Sequence, residues 1–254
     1  MTVSRNYLDT VVERLETMRD TQLDAINEAS KICADTILRD NLVFTFGTGH
    51  GGFAALETFP RTGTISGFRP IVDTPIALMH HVWGDMGTFQ YRFLHSRPGY
   101  GNVILKAQRA RDGDALILFS HSGINNVILD MAMEFKEKGR PVVAVTSIPH
   151  SSQTPSRHES GQRLFEVADV VIDTGVPKED ASQMIEGLNH PVGPTSTSIA
   201  VAAGHAIISE TAAEIVRRGE HPYVMVNTNT ATVEEAHRIN EENYEELWRL
   251  MCNR

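Results

Sequence analysis

Between about Tyr7 and Arg39 the apolar residues Leu8, Val11, Val12, Leu15, Met18, Leu23, Ile26 and Ile37 recur mostly at helical spacing. That pattern predicts one long helix, or two, ahead of the first strand. Residues 42–46 then form a short apolar run, partly β-branched and aromatic, that stops at glycine and reads as a buried strand. Similar runs follow at 115–119, 141–147 and 169–173, with a weaker one at 70–73. Helical stretches fill the gaps at about 53–59, somewhere within 83–105, and over 125–138. Strands that alternate with helices pair in parallel, and strands this uniformly apolar are covered on both faces. A polar, proline-containing loop over 175–194 leads into a small-residue helix at about 195–218, and an acidic helix spans about 232–251. No repeat, low-complexity tract or linker breaks the pattern. The expected architecture is α/β, a single three-layer αβα domain over 1–254, with a helical arm at 1–40, a core at 41–220 and a C-terminal helix within 221–254.

Composition narrows the function. With 254 residues, 41% of them hydrophobic, the chain can bury a core without metal or disulfides. Its 23 basic and 32 acidic residues give a net charge of −9, with no long basic cluster. A phosphate polymer would be repelled, so no nucleic-acid partner is expected. A small anion is still allowed, because backbone amides and a few local cations suffice to hold it. Cys33 and Cys252 cannot make a disulfide framework, and the polar residues 1–6 lack the apolar core of a secretion signal. No apolar run approaches the ~18 residues of a membrane span. A cytoplasmic protein with no membrane partner is expected.

Three loops at predicted strand or helix ends carry the chemistry. In open α/β sheets, ligands bind outside the carboxyl ends of the strands. The first loop is G-T-G-H-G-G at 47–52, directly after a strand and opening a helix. Its glycines bring bare N–H groups to an anion, and the helix start adds a favourable dipole. Read literally it is G-x-G-x-x-G, and Asp73 stands where a ribose-binding acid would be, which keeps an NAD-dependent dehydrogenase as an alternative. The second loop is S-H-S-G at 120–123, where two hydroxyls and the amides of a helix start make an oxyanion cradle. The third is G-P-T-S-T at 193–197, whose Thr195 and Ser196 suit a helix cap, a substrate contact or both.

Together these residues resemble the sugar isomerase (SIS) domain, a phosphosugar-binding fold of the flavodoxin-like type. Its pattern is strand, G-x-G-x-S, helix, then strand, S-x-S-G-x-[ST], helix. Gly47 and Gly49 match the first loop, and Ser120, Ser122 and Gly123 match the second. The stretches S-R-H-E-S-G at 156–161, A-D-V-V-I-D at 168–173 and E-G-L…V-G-P-T-S-T within 186–197 extend the resemblance to a bacterial branch of SIS proteins related to phosphoheptose isomerase. Two positions depart from the pattern: Gly51 stands where the family has Ser, and Asn125 replaces the last Ser/Thr. Either the anionic tail carries less charge than a phosphate dianion, as a sulfonate does, or His50, His121 or Arg61 compensates.

The resemblance implies an aldose–ketose isomerase working without a cofactor. It places a Glu on the helix after the first loop and a His on the late core helix, here Glu57 and His205. Glu57 falls in the otherwise apolar stretch 53–59, where an unpaired carboxylate is costly. Glu186 and His190 are reserve candidates, with Glu186 counted among the substrate contacts, and Arg157 and His158 are further ligand candidates. A metal is not expected, because His50, His121 and the adjacent His80 and His81 show no ligand spacing. The resemblance also implies a homo-oligomer, dimer or tetramer, with sites completed by a neighbouring subunit. A non-catalytic phosphosugar sensor and a SIS-type lyase are the alternatives.

Overall fold

A computed structural model of the chain describes residues 2–73, 76, 88–229 and 232–252. The first helix, α1, is one continuous 36-residue element, Val3–Leu38, capped where the Thr2 hydroxyl accepts from the Arg5 amide. Five strands follow in one parallel sheet: β1 (Val43–Gly47), β2 (Phe68–Pro70), β3 (Ala115–Ser120), β4 (Val142–Thr146) and β5 (Val170–Asp173). Their order is β2-β1-β3-β4-β5, the flavodoxin-like order with its switch point between β1 and β3. Only β2 departs clearly from the sequence pattern, beginning two residues before the expected run. Its register is set by wholly buried Phe68 opposite Val43, and Gly67, with φ +107°, makes the turn that starts it.

The helices between the strands are α2 (His50–Leu56), α3 (Thr88–Leu94), α4 (Tyr100–Gln108), α5 (Asn126–Glu137), α6 (Ile148–Ser151) and α7 (Leu164–Val167). The helix expected within 83–105 is thus divided, because Pro98 and left-handed Gly99 (φ +79°) end one segment and start the next; residues 83–87 lie outside the described residues. The loop expected over 175–194 contains a small antiparallel hairpin, β6 (Ala181–Gln183) and β7 (Val192–Pro194). Three-residue strands show no alternation long enough to read from sequence. The chain ends in α8 (Ser196–Arg217) and α9 (Val233–Cys252).

Each central strand alternates its side chains between two apolar layers. Ile117 and Phe119 join Val43, Val143, Ala203, Ile207 and Cys33 under α1, α2 and α8, while Leu116 and Leu118 join Phe44, Phe46, Ile128 and Phe135 under α4 and α5. This period of two, with both faces covered, is why the strands read as unbroken apolar runs. By length and mean hydropathy (1.4) α8 is apolar enough to cross a membrane. In the fold it is a core helix, lying along α1 with the Ser30 hydroxyl donating to the Ile207 carbonyl at 3.1 Å.

Candidate functional site

The loops at the carboxyl ends of β1, β3, β4 and β5 enclose a cavity of about 330 Å³. Thr48, His50 and Gly51 come from the β1 loop, and Ser120, His121, Ser122 and Asn125 from the β3 end and loop. His150 of α6, Thr174 after β5, Asp180, Tyr91 of α3 and Ser196 and Thr197 of α8 add further polar groups, and Phe119, Val145, Pro194 and Ala200 supply the apolar part of the wall.

Glycine is required in the first loop by close approach. A Cβ on Gly51 would stand 2.3 Å from the Phe119 carbonyl oxygen, and one on Gly47 would stand 2.3 Å from the Gly51 carbonyl. The start of α2 is therefore pressed against the end of β3, and there is no room for the serine that the family pattern has at Gly51. Ser120 accepts from the Gly123 amide at 3.1 Å, which closes the second loop as a turn. Asn125 is extended and makes no cap bond to α5; its Oδ1 accepts instead from Arg157 Nη1 at 2.9 Å. The S-R-H-E-S-G segment holds that arginine in place. The Arg157 amide donates to the Ile124 carbonyl at 2.9 Å, and His158 Nε2 lies 3.3 Å from Asp130 Oδ1, with side chains only 9% and 5% exposed.

At the other end of the cavity the His121 and His150 rings meet edge to face, 4.6 Å between centroids. The Pro177 and Lys178 carbonyls stand by His121, yet among the described residues no hydrogen bond of good geometry reaches either of its ring nitrogens, His150 Nδ1 or the Thr174 hydroxyl. Burial pushes both imidazoles below their ordinary 6.5 and keeps them neutral. Their stabilising contribution is complete above the unfolded value of about 6.5 and is lost as pH falls toward the depressed folded values, where the unfolded chain binds the protons first. Melting temperature is therefore expected to drop between about pH 7.5 and 5, and His150→Gln is expected to flatten that slope; a wild-type slope retained by the variant would remove His150 from the effect.

Asp180 organises the third loop from a left-handed position, φ +57°. Its Oδ1 accepts from the Thr195 and Ser196 amides at 2.8 and 2.7 Å, and its Oδ2 from the Ser196 hydroxyl at 2.6 Å. Burial alone would raise its pKa, but these bonds outweigh burial and hold the carboxyl below its usual range. Asp180 thus caps α8 from outside the helix, and Arg14 of α1 donates to the Thr195 hydroxyl alongside. Asp180→Ala is expected to cost about 1–2 kcal/mol in urea unfolding, and an unchanged midpoint would contradict the capping role.

The structure brings Glu57, His205 and Arg61 together, but outside the cavity wall. Glu57 ends α2, its Oε2 lies 3.6 Å from His205 Nε2, both side chains are 37% exposed, and Arg61 donates to the same oxygen. None of the three lines the cavity. Glu186 and His190 are exposed between β6 and β7, and Thr195 is wholly buried beneath the α8 start. Gly47 and Gly49 shape the first loop without lining the cavity. Asp73, the acid of the dinucleotide reading, accepts from the Tyr100 hydroxyl at 3.0 Å and is not in the wall. His80 and His81 lie outside the described residues. Thr48 and Thr197 fall inside two of the loops read from the sequence, whereas Tyr91, His150, Thr174 and Asp180 were not singled out by sequence. The rule that ligands sit at strand ends would have found Thr174; Tyr91 and Asp180 reach the cavity only through the tertiary fold.

The SIS domain profile matches residues 6–147. A UPF0309 protein of Oceanobacillus iheyensis is 35% identical over 208 residues, covering 82% of each chain. Among solved structures, the phosphoheptose isomerase GmhA of Neisseria gonorrhoeae superposes with a TM-score of 0.53, over 82% of this chain and 96% of its own, at 13% identity. The Vibrio vulnificus NanR protein complexed with ManNAc-6P gives 0.50, over 98% of this chain and 70% of its own, at 11% identity. The likeness to these structures is one of fold. With more than half of its length matched to the domain profile and a relative this similar in sequence, the chain belongs to the SIS domain family.

Proposed function

We propose that this protein is a cofactor-free aldose–ketose isomerase for a sugar with an anionic tail, a 6-phosphosugar or 6-sulfosugar. The observation that carries the reading is the convergence of two anion-shaped loops, at the ends of β1 and β3, on one cavity at the topological switch point. The amide-rich starts of α2 and α5, with Ser120 and Ser122, receive the tail. A cavity of about 330 Å³ has room for a monosaccharide of this kind. The N. gonorrhoeae and V. vulnificus structures, one named an isomerase and one holding ManNAc-6P, agree with a sugar phosphate as the ligand class.

His205 assists ring opening, and Glu57 removes the proton from C2 of the open-chain aldose. As that proton leaves C2, O1 takes up a proton and the cis-enediol forms. Glu57 then returns its proton to C1 while the C2 hydroxyl gives up a proton in place of the one O1 gained, which leaves the ketose. Because the Glu57–His205 pair stands on the α2–α8 surface rather than in its own chain's cavity, it serves the cavity of a neighbouring subunit. Phe53, 42% exposed on α2 beside this face, suits burial in such a homo-oligomer. We place the protein in the cytoplasm, without nucleic-acid or membrane partners.

Incubation in deuterated water with a panel of anionic-tailed aldoses and ketoses tests the reaction. Deuterium entering at C1 of a ketose or C2 of an aldose is the expected result. Tight binding of one sugar without exchange would instead make the protein a sensor that uses Ser120 and Ser122 and has no need of Glu57.

A further inference from the structure

The two positions where this chain departs from the family's loop pattern are explained by different structural facts. At Gly51 a side chain is excluded by the Phe119 carbonyl. At Asn125 the hydroxyl is replaced by a carboxamide, and its oxygen is held by Arg157. With Oδ1 occupied in this way, the Asn125 NH2 group is the end left to donate elsewhere, and Asn125 lines the cavity. Arg157 also stands close enough to Tyr91, another wall residue, and to His95 to act on the charge of each. The guanidinium stands against Asn125, a residue of the cavity wall, without itself lining the cavity. Among the described residues no carboxylate pairs with it, and its side-chain hydrogen bond goes to a neutral amide.

The backbone around Arg157 is fixed on both sides. Its own amide is tied to Ile124, and the next residue, His158, is clamped on the nearly buried Asp130, which also accepts from the Gly101 amide at 3.1 Å. An arginine loses side-chain entropy when it is ordered, and a surface arginine gains little from a neutral partner. Holding an unneutralised guanidinium beside an anion-shaped cavity therefore points to an anion as its missing partner.

We propose that Arg157 is the specificity-determining residue for the anionic tail, replacing with one charged fork the two hydroxyls that the loops lack. The inference rests on the reading of the cavity as a site for anionic-tailed sugars. The tail is held by the Ser120–Asn125 loop, the Asn125 NH2 group and the free guanidinium nitrogens of Arg157. A cation there favours a phosphate dianion over a singly charged sulfonate, so a phosphosugar is the substrate class it selects.

The experiment is calorimetric titration of the full-length protein at pH 7.5 with methyl phosphate and with methanesulfonate. Wild-type protein is expected to bind methyl phosphate more tightly than methanesulfonate. Arg157→Gln is expected to weaken methyl phosphate binding at least tenfold and to erase most of that preference. Arg157→Lys, which restores the charge without the fork, is expected to recover part of the affinity and shows that the effect is not one of folding. Methyl phosphate binding unchanged in Arg157→Gln, or absent from the wild type, overturns the inference. Turnover plays no part in this titration. A protein that binds methyl phosphate through Arg157 yet exchanges no sugar proton keeps the inference and loses the isomerase reading, and exchange with Arg157→Gln binding unchanged does the reverse.

Discussion

Glu57→Gln is expected to lower solvent-proton exchange on the substrate by about 10²–10⁴-fold, while methyl phosphate binding stays as in the wild type. The amide preserves size and keeps an oxygen for Arg61, which bonds the carboxylate in the native chain, but it cannot accept a carbon-bound proton. Because Glu57 lies on the α2–α8 surface and not in the cavity wall, the loss should fall on turnover and leave the tail site intact. Mixing gives a sharper test. Hybrid oligomers of Glu57→Gln subunits with Ser122→Ala subunits should regain part of the exchange that each variant lacks alone, because one composite site then has both native halves. Hybrids as inactive as their parents would place the reacting groups within one subunit.

Gly51→Ser is expected to damage the protein, although it restores the hydroxyl that the family pattern carries. The new Cβ would meet the Phe119 carbonyl oxygen at 2.3 Å, and that oxygen belongs to the central strand of the sheet. A backbone atom in β3 cannot swing aside as a flexible side chain can, so α2 must move away from the sheet. Overpacking of this kind costs about 1–3 kcal/mol. The movement also displaces the amides of the first loop, so methyl phosphate binding should weaken together with the urea midpoint. A Gly51→Ser protein that is as stable as the wild type and binds the anion more tightly would show that the loop has slack that this packing denies.

The fold was largely legible because its signals are local and repeated. Apolar runs such as residues 115–119 are buried on both faces, and such runs between helical stretches have few topologies available. The β6–β7 hairpin escaped because its three-residue strands are held by tertiary contacts, such as the Tyr7 hydroxyl donating to the Pro194 carbonyl at 3.0 Å. Half of the cavity was legible for the same reason as the fold: Ser120, His121, Ser122 and Asn125 sit at or just after a strand end, where the backbone itself presents them. The opposite half was not. His150 comes from the connection after β4, Thr174 and Asp180 from the one after β5, and they meet His121 only when β4 and β5 lie side by side.

The sequence alone determined the strand–helix alternation, the parallel sheet and the two glycine- and serine-bearing loops, because hydrophobic period and turn chemistry act over a few neighbouring residues. The tertiary structure decided the rest. It left Glu57 with His205 on an outer face, closed Gly51 against β3 and turned Asn125 toward Arg157, 32 positions along the chain. Such long-range distances are set by how helices pack on the sheet, and no local pattern encodes them.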